Sequence, residues 1–238
     1  MYYTGCIDMS AGITVYNTLG KLVVNETYIN FVKKRKINIA DCAYDANALE
    51  HYQLVLTIPL NDNEIFCCVG RDADKDLWLH CLYEDPAIDT GYKKRQVKVW
   101  VDSYEGVTWD EVTTKMSDLY IYTFGAPEAS EVSSQTVGMQ IFSKNGSLVF
   151  DTNREYMRIL YAGDGSVSTT IPTGHKAAIG AYCDVFDIDH KYYTTYMARV
   201  QNGVIDKYVY KYNMGSGVKY AEYYGSMFLM IAIDVTNY

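Results

Sequence analysis

Three alternating carboxylates, in Asp72-Ala73-Asp74-Lys75-Asp76, are the first residues here whose type and spacing could do chemistry. A loop that curls around such a run can converge its oxygens on a calcium ion. The pattern then breaks: Leu77 stands where the sharp turn needs glycine, and Tyr83 stands where the closing glutamate belongs. A related stretch, Asp187-Ile188-Asp189-His190, keeps only two acids. Polar hairpin turns carry this spacing routinely, so no metal is expected. Four histidines, His51, His80, His175 and His190, could serve acid–base work. None stands beside a serine or cysteine in a nucleophile setting, and no Gly-x-Ser-x-Gly turn occurs. His80 falls in a strand pattern; His175 and His190 fall in turns. Glu105 with Asp110 or Glu111 has the residue types of a glycosidase pair, whose chemistry depends on their separation in space. There is no glycine-rich phosphate loop. The residues point to no catalytic site and no cofactor.

Contact chemistry is better represented. Lys33-Lys34-Arg35-Lys36 puts four cations in a row, enough to grip phosphate or an acidic partner, although a solvated strand end is the commoner use. Trp78, Trp100 and Trp109 are candidate platforms for a sugar or a neighbouring protein. Tyrosine is the compositional outlier, 24 against 7 phenylalanines, and suits surfaces that are apolar on one side and wet on the other. A net charge of −8 argues against nonspecific binding to nucleic acid or to an anionic membrane. No apolar run approaches the roughly 20 residues of a membrane span, and the first residues lack a signal peptide's basic and apolar regions. The six cysteines form no Cys-x-x-Cys pair, so they read as small buried hydrophobes in a reducing cytoplasm. Cys67 and Cys68, adjacent on a strand, should face opposite ways.

The elements that must carry these residues are strands. Tyr52, Leu54, Leu56, Ile58 and Leu60 alternate with other residues, as do Val97, Val99 and Val101. Further strands are expected at Ile65–Val69, Leu77–Tyr83, Leu119–Phe124, Ala177–Phe186, Tyr192–Val200 and Val204–Tyr212, with turns at Asp187-Ile188-Asp189 and Asn202-Gly203. Met227 to Val235 should be a strand buried on both faces. One short helix fits Trp109–Met116, with Thr108 as its N-cap. Such spacing, with almost no helical period, indicates antiparallel sandwiches or barrels.

Two stretches repeat. Gly138-Met-Gln-Ile-Phe-Ser-Lys-Asn-Gly-Ser-Leu-Val-Phe-Asp151, then Tyr156–Leu160, is answered by Gly12–Asn25, then Tyr28–Val32. Each is a hairpin turning at a glycine, Gly146 or Gly20, which supplies the positive φ of a tight turn. Thr57-Ile58-Pro59 recurs as Thr170-Ile171-Pro172, Cys68–Asp74 aligns with Cys183–Asp189, and Ser117–Tyr122 with Ser226–Ile231. The fold expected is all-β: two tandem, duplicated antiparallel β-sandwich domains, 1–124 and 137–238, joined by a linker at 125–136 rich in serine and small residues.

The paired pattern resembles a family of tailed-bacteriophage virion proteins, small β-rich modules of the tail tip, tail fibres or their attachment points. Gly138–Leu160, including Asp151 and Arg158, carries the resemblance. Gly12–Val32 matches more loosely, with Asn25 in place of the aspartate and no arginine equivalent to Arg158; Met227–Val235 also fits. The resemblance implies a non-enzymatic structural component of the virion, a tail-tip or tail-fibre-associated adaptor that connects or decorates its neighbours. It implies assembly in the host cytoplasm, with other virion proteins and copies of itself as partners, three being the number a sixfold ring of halves would use. The alternatives are a carbohydrate-binding (receptor-binding) module contacting a surface glycan, or a capsid decoration protein.

Overall fold

The computed structural model describes residues 14–16, 22–25, 30–44, 53–71, 77–85, 94–100, 114, 117–128, 138–183, 187–189, 192–213 and 228–238. These are almost entirely antiparallel β-structure. The N-terminal half supplies β1 (Thr14–Tyr16), β2 (Leu22–Asn25), β3 (Val32–Asn38), β4 (Ala43–Tyr44) and β5 (Gln53–Pro59). It continues with β6 (Phe66–Arg71), β7 (Leu77–Asp85), β8 (Lys94–Trp100) and β9 (Leu119–Gly125). From the C-terminal half come β10 (Gln140–Phe142), β11 (Leu148–Asp151), β12 (Arg158–Gly163), β13 (Thr169–Thr170) and β14 (Ala177–Cys183). β15 (Asp187–Asp189), β16 (Tyr192–Gln201), β17 (Val204–Asn213) and β18 (Phe228–Asp234) complete it.

Contacts divide the chain into two compact units, each drawn from both halves: Met1–Val32 with Gly125–Tyr156, and Lys33–Phe124 with Met157–Tyr238. The smaller unit holds the hairpins β1–β2 and β10–β11. In the second hairpin the Ser143 amide donates to the Ser147 carbonyl at 2.8 Å, and Gly146 has φ +82°. A Cβ at Gly146 would meet nothing within 4 Å, so the backbone angle alone asks for glycine. Asp151 ends β11 fully buried; it accepts from Gln140 Nε2 at 2.9 Å and from the Asn153 amide at 2.8 Å, closing the turn that follows.

The larger unit contains two sheets, with strand orders β12-β18-β14-β6-β9-β3 and β13-β17-β16-β7-β8-β5-β4; β15 pairs with β16 outside this path. Alternation explains how they meet. Cys67, Val69, Leu119, Ile121, Ile179, Ala181, Met230 and Ala232 from the first sheet share one apolar cluster with Ile58, Leu77, Leu79, Ala198 and Ile205 from the second. The residues between them on the first sheet, Cys68, Tyr122, Phe124, Ala178 and Ile233, are buried as well. At the central junction a Cβ on Gly70 would lie 2.9 Å from Tyr122 Cε2 and 3.0 Å from Ala178 Cβ, so β6 needs glycine there to approach β14.

Neither sheet is confined to one half of the chain. Separated by halves, the sheets would leave the apolar strands β6, β14, β7 and β16 as bare edges, which invite pairing. They pair instead with each other, Val69 with Ile179 and Leu79 with Ala198. Two expectations need correcting. Asp187-Ile188-Asp189 is a strand rather than a turn, because its backbone pairs with Thr194-Tyr193-Tyr192. β18 is buried on both faces except near its start, where Leu229 is 44% exposed. The Asn202-Gly203 turn is as expected, two residues with positive φ closing Gln201 onto Val204.

Candidate functional site

The four cations of β3 do not act together. Arg35 turns to a buried carboxylate, Glu64, which is 3% exposed and lies two residues before β6. Arg35 Nε donates to Glu64 Oε1 and Nη2 to Oε2, both at 2.5 Å, while Nη2 also donates to the Pro59 carbonyl at 2.9 Å. Glu64 Oε1 accepts from Thr123 Oγ1 at 2.6 Å, and Oε2 from the Asn61 amide at 2.7 Å. Thr123 Oγ1 itself accepts from the Arg35 amide at 3.1 Å. Burial pushes the Glu64 carboxyl up; the Arg35 and Thr123 hydrogen bonds, then the Asn61 amide and the Arg35 charge, outweigh it and hold the group below its usual range.

Lys33 and Lys36 lie over tyrosines. Lys36 Nζ is 4.2 Å from the Tyr120 ring centroid and 5.5 Å from that of Tyr122, and Lys33 Nζ is 5.3 Å from that of Tyr238. Tyr238 also carries the Arg158 guanidinium, 5.4 Å from its ring centroid.

A second buried carboxylate sits near the other end of the six-stranded sheet. Asp234, 4% exposed, ends β18. Its Oδ1 accepts from the Thr236 amide at 3.0 Å and from the Thr236 hydroxyl at 2.5 Å. Its Oδ2 meets His175 Nδ1 at 2.8 Å and Arg158 Nη2 at 3.5 Å. His175 lies two residues before β14, as Glu64 lies two before β6. Burial pushes the Asp234 carboxyl up, but Thr236, His175 and Arg158 together hold it below its usual range. A carboxylate only accepts, so the imidazole proton on this side is on Nδ1 and Nε2 points away. The His175 and Arg158 side chains are 41% and 46% exposed.

Sequence reading named Lys33, Lys34, Arg35 and Lys36 as contact residues and Arg158 within the motif, and set His175 aside as a turn histidine with no catalytic neighbour. It missed Glu64, Thr123, Asp234 and Tyr238. The available signal was an acid bordering an apolar strand: Glu64 before Ile65–Val69, and Asp234 after Phe228–Ile233. Trp78 and Trp100 lie on β7 and β8, with side chains outside the described residues. Trp109, Gly20, Asp72–Asp76, Glu105, Asp110, Glu111, His51, His190 and, apart from helical Thr114, the expected helix also fall outside them. Cys42, Cys67 and Cys68 are outside any disulfide; burial, then the neighbouring Cys67, pushes the Cys68 thiol well above the ordinary value. Among the described residues no group of three or more His, Cys, Asp or Glu is placed to hold a metal ion, and no helix is long and apolar enough to cross a membrane. Set against protein families, curated proteins and solved structures, the chain matches none.

Proposed function

We propose that this chain is a non-enzymatic structural component of a bacteriophage virion, a tail-tip or tail-fibre-associated adaptor joining or decorating neighbouring virion proteins, and that it arose by duplication. The observation that carries the reading is the strand order. Both central sheet paths run outward from a pair of equivalent strands: β14 and β6, then β18 and β9, then β12 and β3; β16 and β7, then β17 and β8, then β13 and β5. The hairpins β10–β11 and β1–β2 complete the same programme. β4 and β15 are the additions.

Ladder registers refine the match. With Leu119 set against Phe228, Cys67 falls against Ile179, both in the core. Setting Cys68 against Cys183 instead pairs a residue of the outer face with one that shares the parity of Ile179 and Ala181. A shift of odd length along a strand reverses its faces, so that part of the sequence match gives way to the ladder.

A body whose halves are related by an internal two-fold offers each kind of surface twice, and so can hold two like neighbours, as an adaptor must. The same two-fold bears on assembly. Three copies would still carry six halves, but paired head to head, giving a ring with equivalent faces instead of a polar one. The motif resemblance at Gly138–Leu160 directs the reading to the virion.

Gold-labelled antibody against the chain, applied to intact and fibre-stripped particles, tests the location. Label at a fixed place on the tail or its fibres, at constant copy number, is the expected result. Chain recovered only in the soluble lysate would contradict it. The duplication has its own test: a protease site inserted between 129 and 136 and cut in the folded protein should leave two fragments that co-elute. Fragments that separate without denaturant would mean that the halves fold apart.

A further inference from the structure

We infer that Arg158 and His175, held side by side by Asp234, form a binding site for an oxyanion such as a phosphate monoester, a function that stands independently of the virion reading. Recognition of an oxyanion gains from donors already gathered on one side. Both side chains converge on one buried oxygen, Asp234 Oδ2, His175 Nδ1 by a hydrogen bond of 2.8 Å and Arg158 Nη2 by a looser ion contact at 3.5 Å, while both remain exposed in front. Asp234 is itself locked by the amide and hydroxyl of Thr236. The Tyr238 ring backs Arg158, whose guanidinium lies 5.4 Å from the ring centroid, and Lys33 Nζ lies 5.3 Å from the same centroid. Asp234 thus faces one permanent cation and an imidazole, in a chain of net charge −8.

Chemistry sorts the roles. The guanidinium keeps donors beyond the Asp234 contact and supplies the fork that suits phosphate oxygens. His175 Nε2 donates to an oxyanion when the ring is protonated, and accepts from a hydroxyl of a singly protonated phosphate when it is neutral. The Arg35–Glu64 site is the internal contrast: there Nε and Nη2 are spent on two carboxylate oxygens and a carbonyl. The two geometries separate a clamp from a receptor.

The probe is inorganic phosphate, added at constant pH and ionic strength to the full chain labelled at its histidine rings, with the His175 resonance assigned through His175→Gln. A saturable shift of that resonance is expected. Arg158→Gln should weaken the apparent affinity roughly tenfold without moving the melting temperature, since a charge-assisted hydrogen bond is lost from an exposed group. Lys144→Gln, on the β10–β11 hairpin, should change neither. A shift that chloride reproduces, one that fails to saturate, or an affinity unaltered by Arg158→Gln would overturn the proposal. Glucose 6-phosphate in parallel identifies the source: tighter binding than phosphate means a sugar-borne group, equal binding a free anion, and both uphold the site.

Discussion

Glu64 and Asp234 are buried near opposite ends of one sheet, yet the groups around them are spent differently. Glu64 faces a guanidinium that closes on it with two hydrogen bonds of 2.5 Å, and the Thr123 hydroxyl and Asn61 amide use its remaining lone pairs. Asp234 is satisfied first by Thr236, and only then reaches His175 and, at 3.5 Å, Arg158. A buried carboxylate needs its acceptors filled, but the fold can fill them with groups it consumes or with groups it displays. In the first site the cation is the counter-charge without which Glu64 could not be buried. In the second, local hydroxyl and amide donors do most of that work, which leaves the cations available.

The largest effect should follow from stranding Glu64. Arg35→Met leaves a buried carboxylate without its partner and should cost about 3 kcal/mol in urea unfolding, toward the low end for a broken buried pair because the Arg35 side chain is 34% exposed. A cost near zero would mean that Thr123 and Asn61 alone can hold the charge. Asp234→Asn is expected to cost less, about 1–2 kcal/mol, since Thr236 loses a charged acceptor but hydrogen bonding partly survives. A loss as large as that of Arg35→Met would erase the distinction between the sites.

These two carboxylates show what could be read from sequence. Strand alternation was plain at Leu54–Leu60 and Val97–Val101, because a strand with one buried face must alternate, and the turn residues at Asn145-Gly146 and Asn202-Gly203 marked their hairpins. The recurrence of hairpin motifs in the sequence was legible for the same reason, since like hairpins need like turns and faces. The sharing of sheets was not. Alternation tells which face of a strand is buried and says nothing of which strand lies at its edge, so β6 gave no sign of pairing with β14. Arg35 looked like one of four solvated cations, because Glu64 is 29 residues away and Thr123 is 59 from Glu64. His175 and Asp234 are likewise 59 residues apart, and only the β14–β18 ladder brings them together.

Acid provides a subtler comparison. Both carboxyls are held below their usual range, so their contribution is complete at neutral pH and is lost as pH falls through about 4 and below. Urea midpoints should therefore drop steeply under acid conditions, and Glu64→Gln should flatten that drop. An unchanged slope in Glu64→Gln would show that other groups control the acid response. The smallest effect belongs to Arg158→Gln, expected to lie within about 0.5 kcal/mol of wild type because an exposed ion pair contributes little.

Double-mutant cycles on both pairs, run under one set of conditions, test the contrast between clamp and display most directly. The cycle of Arg35→Met with Glu64→Gln should yield a coupling of about 2–3 kcal/mol, and that of Arg158→Gln with Asp234→Asn less than about 0.5 kcal/mol. Equal couplings in the two pairs would contradict the account, for Asp234 would then hold Arg158 as tightly as Glu64 holds Arg35.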